Sequence, residues 1–117
     1  MKTDKELLEL AAKAAGISFV GYDVLYEDFS AYCKETDVNY LWNPLDRDGD
    51  ALRLAVKLRL QLIHMDSEVE KDGITVKTPI LHIDSTAGSI YQYLDNDPLG
   101  ATRRAIVRAA AEIGEKL

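Results

Sequence analysis

The chain has 117 residues, 47% apolar and 29% charged, a balance that fits one compact domain and excludes collagen-like, low-complexity and wholly disordered classes. Fourteen Lys and Arg face 20 Asp and Glu, so the net charge of −6 argues against a generic binder of duplex DNA or of an acidic membrane. One cysteine, Cys33, excludes an internal disulfide, and no apolar run approaches the roughly 20 residues that span a bilayer. The start is amphipathic, unlike a signal peptide, so we expect a single cytoplasmic domain over residues 1–117.

The first third of the chain begins with a helix signal. Thr3 and Glu6 have the spacing of a capping box, apolar residues then recur at helical period, and Gly16 stands where a left-handed cap belongs. These signals predict a helix over residues 3–15. Alternation and β-branched residues over 17–22 predict a strand. Residues 23–41 combine tyrosines with many acids and fit either a short helix or a decorated loop, and the pattern leaves both open.

A second helix is predicted after Pro44, because proline disfavours helix at the residue before it. Asp46 or Asp48 is the expected cap. The expected buried stripe consists of Ala51, Leu52, Ala55, Val56 and Leu58, widened by Leu54. Strands are expected at 61–65, 74–76, 79–84 and 89–94, with turns at 71–73, where Asp-Gly is a hairpin signature, and at 87–88.

A closing helix is predicted to begin at Asp97-Pro98, since proline suits the first helical turn. Its apolar stripe is Ile106, Ala109, Ala110, Ile113 and Leu117. Consecutive strands joined by short turns favour an antiparallel sheet. The expected fold class is therefore α+β, with an antiparallel sheet of about four strands sandwiched between the N-terminal helix and the central and C-terminal helices.

Three stretches resemble a known family. They are DKELLELAAKAAGI at 4–17, WNPL with DGDALRLAV within 42–56, and ATRRAIVRAAAEIG at 101–114. Together they resemble small proteins of tailed phages and prophages, the phage ABA-sandwich family, whose name describes helix, sheet and helix layers.

The resemblance also implies a function. The first-described Thoeris anti-defence proteins share this layout and act as sponges: they sequester a cyclic ADP-ribose variant made by bacterial TIR enzymes without degrading it. Some related sponges take cyclic oligonucleotides. The resemblance thus implies a phage protein in an infected or lysogenic host that holds a nucleotide immune signal and performs no catalysis.

The closing helix carries the best candidate for an anion site. Helix N-termini present free amides, and Gly100, Thr102, Arg103, Arg104 and Arg108 follow within the first turns. The planar arginine fork suits phosphate oxygens. At 100° per residue Arg104 and Arg108 share a face while Arg103 flanks the apolar stripe, so all three reach one ligand only if it wraps round or a second subunit contributes. The alternative is a solvated basic face paired with nearby acids.

Three aromatic side chains are candidates for stacking on a base. Tyr91 and Tyr93 are two residues apart on a predicted strand, so both rings point to one face. Trp42 stands beside the Asn-Pro step. Stacking by such rings near guanidinium groups suits a purine nucleotide. Cross-strand packing for the tyrosines and a core position for the tryptophan are the alternatives.

Other motifs give little support for chemistry. His64 and His82 are each followed two residues later by an aspartate, which suggests a metal or acid–base pair but supplies no third spaced ligand. The acids of 46–50 fail the register of a calcium loop. No phosphate-loop or dinucleotide-binding glycine pattern is present. We therefore expect no enzyme activity, no metal and no cofactor.

Three hypotheses follow. The first is a sponge for a cyclic ADP-ribose variant or a cyclic oligonucleotide, with its pocket at a subunit interface of at least a homodimer, because a chain this small has little room for an internal pocket. The alternative is a protein-interaction factor that inhibits or adapts a host protein through the acidic surface and the tyrosine-rich segment 22–42. A signal-cleaving enzyme would need His64 and His82.

Overall fold

The structure, a computed structural model, describes residues 1–65, 72–79 and 89–117. In chain order its elements are α1 (Asp4–Ala15), β1 (Ser18–Asp23), β2 (Asp28–Cys33), β3 (Val38–Leu41), α2 (Asp48–Lys57), β4 (Gln61–Met65), β5 (Gly73–Lys77), β6 (Ser89–Tyr93) and α3 (Pro98–Glu115). The described strands form two three-stranded antiparallel sheets, β1-β2-β3 and β4-β5-β6. The predicted α+β class with antiparallel strands is confirmed, with the strands divided between two sheets.

Helix α1 has the predicted ends. The Thr3 hydroxyl accepts from the Glu6 amide at 3.2 Å, and the Glu6 carboxylate reaches back to the Thr3 amide, which completes the capping box. Gly16 takes the left-handed conformation with φ of 71°, which a residue without a Cβ adopts at little cost. The helix buries Leu7, Leu8 and the alanine face against the rest of the core.

Residues 23–41 form strands β2 and β3, so both the short helix and the loop proposed for this segment are wrong. Each strand follows a four-residue turn whose last residue, Glu27 or Asp37, has a positive φ near 55°. These turns lack the glycine or asparagine that normally marks a hairpin, so the sequence pattern did not predict the two strands that follow them. Between the turns Phe29 and Ala31 alternate towards the core.

Helix α2 begins at Asp48 and buries a narrower face than expected. Its N-cap is Arg47, which makes no side-chain cap bond, so the expected cap by Asp46 or Asp48 is wrong. Leu52 and Val56 are 64% and 69% exposed, contrary to the predicted stripe, because Leu54 takes the central position of the buried face. The buried residues of the helix are Asp50, Ala51, Leu54 and Ala55.

The second sheet contains three of the predicted strands. Gly73 opens β5 and pairs with Met65, so it lies in the ladder and not in the turn proposed at 71–73. Its lack of a side chain matters there, because a Cβ would fall 2.4 Å from the Tyr91 ring. Pro79 lies outside any strand, contrary to the prediction for 79–84. The rest of that strand, at 80–84, and the turn at 87–88 fall outside the described residues.

Helix α3 contacts both of the other helices and the second sheet. It packs against α1 and α2 on one side and against β5 and β6 on the other. Four of the five residues of its predicted stripe are buried, whereas Leu117 is exposed, beyond the end of the helix. The buried face is wider than predicted and also includes Ala105, Val107, Ala111 and Gly114. The main core lies between the helices and the first sheet, and a smaller cluster of Ile74, Val76, Ile90, Ala105 and Ala109 lies beneath the second sheet. Among the described residues no helix combines the length and apolar character that crossing a bilayer requires.

Candidate functional site

A groove of about 550 Å³ runs along α3, between the start of the chain and β6. Its walls come from three places, which are the N-terminal segment (Met1, Lys2, Leu7), β6 (Ile90, Gln92) and one face of α3 (Arg104, Arg108, Ala111, Glu112, Glu115). We call it the basic groove, after the two arginines in its wall. These are Arg104 and Arg108, two of the three arginines that the sequence singled out. Helical spacing is what brings Arg104 and Arg108 to the same wall, one turn apart.

Arg108 is positioned by neutral groups alone. Its Nη1 donates to the backbone oxygen of Tyr91 at 3.2 Å and to Oε1 of Gln92 at 2.9 Å. Within the described residues its Nε and Nη2 make no hydrogen bond, and no carboxylate lies within ion-pair distance. The guanidinium is thus held in place at the groove while most of its charge and donor capacity stay available.

Arg104 makes a displaceable ion pair. Its Nη2 lies 3.0 Å from Oδ1 of Asp4, and both side chains are about half exposed. Exposed pairs of this kind contribute only about 0–1 kcal/mol. A doubly charged anion in the groove can therefore compete with Asp4 for this arginine at low cost.

The far end of the groove is acidic. Lys2 pairs with Glu115, and this hydrogen bond is the main cause that raises the pKa of the Lys2 ammonium group above its ordinary value. Glu112 lies beside Glu115 on the groove wall. At 1.5 Å per residue, Arg104 and Glu115 are about 16 Å apart along the helix. The basic groove is therefore polarised, with guanidinium groups at one end and carboxylates at the other.

Arg103 is committed to the fold. Its Nε donates to the backbone oxygen of Leu45 at 2.8 Å, and its Nη1 lies 2.7 Å from Oδ1 of Asp48, with the side chain only 17% exposed. It fastens α3 to the loop before α2. Asp48 thus has a tertiary partner instead of the capping role that the sequence suggested.

The front end of α3 is occupied by the chain itself. Oδ1 of Asp97 accepts from the Gly100 amide at 3.0 Å, and a Cβ on Gly100 would fall 2.1 Å from the other oxygen of that carboxylate. The Thr102 hydroxyl donates to the Pro98 carbonyl at 2.8 Å. The glycine therefore makes room for Asp97, and the Gly100 amide and Thr102 hydroxyl that the sequence assigned to a phosphate already have partners. A cavity of about 530 Å³ does lie at this end of the helix, but Asp46, Asp95 and Asp97 line it and oppose an anion, so the side of α3 at Arg104 and Arg108 is the better candidate.

Tyr91 and Tyr93 share a face of β6, as their spacing predicts, with ring centroids 5.4 Å apart in an edge-to-face pair. Ile90 packs with Ala105 of α3, and Gln92 receives the Arg108 hydrogen bond. Side chains alternate along a strand, so the tyrosine rings lie on the opposite face of the sheet from α3. The structure does not bring these rings into the basic groove.

Trp42 lies in the main core, 4% exposed, with its ring edge-to-face against Phe19 at 6.2 Å between centroids. Part of its side chain also lines a second cavity, which lies between β3 and α2. Trp42 therefore occupies a core position, which the sequence analysis gave as the alternative to stacking on a base.

A second cavity, of about 430 Å³, lies between the end of β3 and α2, and sequence reasoning missed it. Tyr40 stands at its side, and burial is the main cause that raises the pKa of the Tyr40 phenol. The apolar floor is built from Ala15, Ile17, Leu41, Trp42 and Leu54, and the charged residues at its α2 side are Asp50, Arg53 and Lys57. The spacing of three and four residues between these α2 side chains was the available signal. We call this the aromatic pocket.

The residues suggested for catalysis are not assembled in the described part of the chain. His64 is exposed on β4, and its partner Asp66, together with His82 and Asp84, falls outside the described residues. Over residues 1–65, 72–79 and 89–117, no group of three or more His, Cys, Asp or Glu side chains is arranged to hold a metal ion.

The first sheet exposes apolar side chains at the turn between β1 and β2. Val24 and Leu25, in the turn between β1 and β2, are among the most exposed apolar residues of the molecule, and Tyr22 and Tyr26 flank them. Asp23 orders this turn by accepting from the amides of Leu25 and Tyr26. The exposed apolar part of the tyrosine-rich segment 22–42 is therefore the turn between β1 and β2, whereas Ala31 and Trp42 of the same segment are buried.

Comparisons with protein-family models, curated proteins and solved structures found no match.

Proposed function

We propose that this protein is a phage-encoded sponge that binds a nucleotide immune signal, a cyclic ADP-ribose variant or a cyclic oligonucleotide, and withholds it without cleaving it. The proposal includes membership of the phage ABA-sandwich family and action in the cytoplasm of an infected or lysogenic bacterium. One observation carries it: Arg108 is fixed at the wall of the basic groove with no carboxylate partner among the described residues.

The charge pattern of the basic groove suits a nucleotide. Phosphate oxygens accept from guanidinium groups, which Arg104 and Arg108 supply at one end. The exocyclic amines of purines donate hydrogen bonds, and the Glu112 carboxylate at the other end can accept them, next to Glu115, which is paired with Lys2. A ligand with phosphates on one side and bases on the other fits this polarity, whereas a simple polyanion would be repelled from the acidic end.

Enclosure of the ligand is expected to need a second copy of the chain. The groove is open along its length, and tight binding requires most of the ligand surface to be buried. We therefore propose that the sponge is at least a homodimer, in which the partner closes the groove over the ligand.

The direct experiment uses the protein purified from cells in which a TIR enzyme or a cyclic-oligonucleotide synthase is active. Heating the purified sample should release an intact nucleotide in near-stoichiometric amount, detected by mass spectrometry. A hydrolysed nucleotide would indicate an enzyme, and calorimetry that detects no binding of any candidate messenger would contradict the sponge.

A second candidate is a protein-interaction factor that acts on a host protein, and the exposed apolar hairpin tip around Val24 and Leu25 favours it. Exposed apolar patches of this kind occur at protein–protein interfaces. A pull-down from host lysate separates the two candidates. A stoichiometric protein that is lost in a Leu25→Ser variant supports the interaction factor, and a heat-released nucleotide that the same variant retains supports the sponge.

A further inference from the structure

We infer that the aromatic pocket is a second ligand site, separate from the basic groove, which takes a small ligand with one flat aromatic ring and one phosphate group. Its residues do not contribute to the function proposed above. The inference rests on the combination of an apolar floor, a tyrosine wall and two cations on one helix.

The floor and side of the pocket provide the ring-binding part. Ile17, Trp42 and Leu54 form an apolar surface, and the Tyr40 ring, which is 40% exposed, stands beside it. Register places Tyr40 opposite Ala31, which is fully buried, so this tyrosine projects from the same face of the sheet as the core. A flat ring that enters the pocket would contact an aromatic face on one side and aliphatic groups beneath it.

The α2 side of the pocket provides the phosphate-binding part. Arg53 Nη2 lies 2.6 Å from Oδ1 of Asp50, and the other oxygen of that carboxylate accepts from the Asn43 amide at 3.0 Å. The guanidinium also lies against Gly49, where a Cβ would be 3.3 Å from both terminal nitrogens. Arg53 is therefore paired with the buried Asp50 at the edge of the pocket, while its own side chain is 75% exposed and accessible to a ligand.

Lys57, one turn further along α2, completes the pair of cations. Over the described residues its ammonium group has no ion-pair partner, and the side chain is exposed at the pocket. Because Asp50 is already bonded by Asn43 and Arg53, its charge is largely matched locally. Lys57 therefore supplies a positive charge in the pocket that an incoming anion can bind.

The volume of about 430 Å³ lies in the lower part of the range of small-molecule sites and suits one ring and one phosphate better than a cyclic oligonucleotide. We therefore take adenosine monophosphate as the probe. Adenosine tests the ring alone and inorganic phosphate tests the charge alone.

The test exploits the single tryptophan of the chain, which lies at the pocket floor. Adenosine monophosphate should change Trp42 fluorescence saturably, with adenosine and inorganic phosphate each binding at least about tenfold more weakly. Lys57→Gln should weaken the nucleotide about tenfold, the scale of one hydrogen bond to a charged group. Tyr40→Leu should weaken both ring-bearing probes and leave phosphate unchanged.

Two variants keep the test specific. Arg108→Ala, in the basic groove, and Lys34→Ala, on the exposed turn between β2 and β3, should leave the fluorescence titration unchanged. The inference is overturned if the probe causes no saturable change, if Lys57→Gln binds as well as the parent protein, or if Arg108→Ala abolishes the signal. The last result would assign the nucleotide to the basic groove, whereas failure of this pocket alone would leave the proposed sponge intact.

Discussion

At the scale of single residues, Asp28 is the clearest example of a side chain whose environment sets its chemistry. Its carboxylate accepts from Asn43 at 2.9 Å, from Arg47 at 2.8 Å and from the Phe29 amide at 2.8 Å. Burial acts to raise the pKa of this carboxyl, but the hydrogen bonds from Asn43 and Arg47 outweigh it, so the pKa is lowered. Asp28 thus ties the loop before α2 to the first sheet.

Asp28→Asn should lower the free energy of unfolding at neutral pH by about 1–3 kcal/mol, since it weakens hydrogen bonds to a charged group. The lowered pKa means that the stabilisation by Asp28 is fully present above the ordinary Asp pKa of about 4 and is lost as pH falls through the folded-state value. Urea titrations from neutral pH to about pH 3 should therefore show parent and variant converging in acid.

Glu9→Gln is the matched control, because the one ion pair of Glu9 within the described part of the chain is a long, exposed contact of 3.9 Å with Lys5. It should change the unfolding free energy by less than about 0.5 kcal/mol. An Asp28→Asn variant as stable as the control at neutral pH would contradict the role given to Asp28.

The candidate arginines show how far residue-level prediction from sequence reaches. Helical spacing correctly separates Arg103 from Arg104 and Arg108, because rotation per residue is a local property. The partners of these side chains are tertiary: Leu45 and Asp48 hold Arg103 across a sequence gap of more than 50 residues. No local pattern contains that information, whereas the Asp97 carboxylate at the front of α3 caps an amide only three residues away, which is a local signal.

At the scale of elements, α1 and α3 were predictable because capping, period and terminal glycine or proline all agree for them. Strands β2 and β3 were not, because their turns end in Glu27 and Asp37, which carry a positive φ without the residues that usually reveal it. In α2 the apolar residues Leu52 and Val56 misled the prediction. Burial there is set by which side faces α3, and a sequence with apolar residues on several sides does not settle it.

The contact between α1 and α3 predicts a severe effect of a small change. A Cβ on Gly114 would fall 2.1 Å from the backbone oxygen of Leu10, which no side-chain rearrangement can relieve. Gly114→Ala should therefore destabilise the fold by about 1–3 kcal/mol, despite the higher helix propensity of alanine. Thermal unfolding followed by circular dichroism measures the effect.

Glu112→Ala, in the same helix, is the control for helix propensity and should change the melting temperature little. If Gly114→Ala proves as stable as Glu112→Ala, the two helices cannot be as close as the structure places them.

A substitution at Asp97, the N-cap of α3, should affect the stability of the fold and not the binding of a messenger. Asp97→Ala removes the bond to the Gly100 amide and should cost about 1 kcal/mol of stability. Because Asp97 lies at the front of the helix and not in the basic groove, messenger affinity should be unchanged in this variant. Paired thermal melts and calorimetric titrations check both statements, and a large gain of affinity would move the anion site back to the helix front, because the variant frees the Gly100 amide and removes a negative charge there.

At the scale of the whole molecule, the two sheets flank helices that carry both candidate sites. The basic groove lies on the side of α3 that faces β6, and the aromatic pocket lies between α2 and β3. Fold class could be predicted from periodicity alone, whereas the groove depends on how the start of the chain, β6 and α3 meet. Helical spacing therefore predicts that Arg104 and Arg108 share a face, but it does not predict the groove that they line.

The central claim is that Arg108 binds phosphate in the basic groove, and calorimetric titration of the purified protein with cyclic ADP-ribose variants and cyclic oligonucleotides tests it most directly. One of these ligands should bind the parent protein, and Arg108→Ala should lose about 1.5–3 kcal/mol of binding free energy, the range for hydrogen bonds to charged groups. Arg59→Ala, which removes an exposed arginine elsewhere on the surface, should bind as the parent does. Equal affinity of Arg108→Ala and the parent protein would contradict the account.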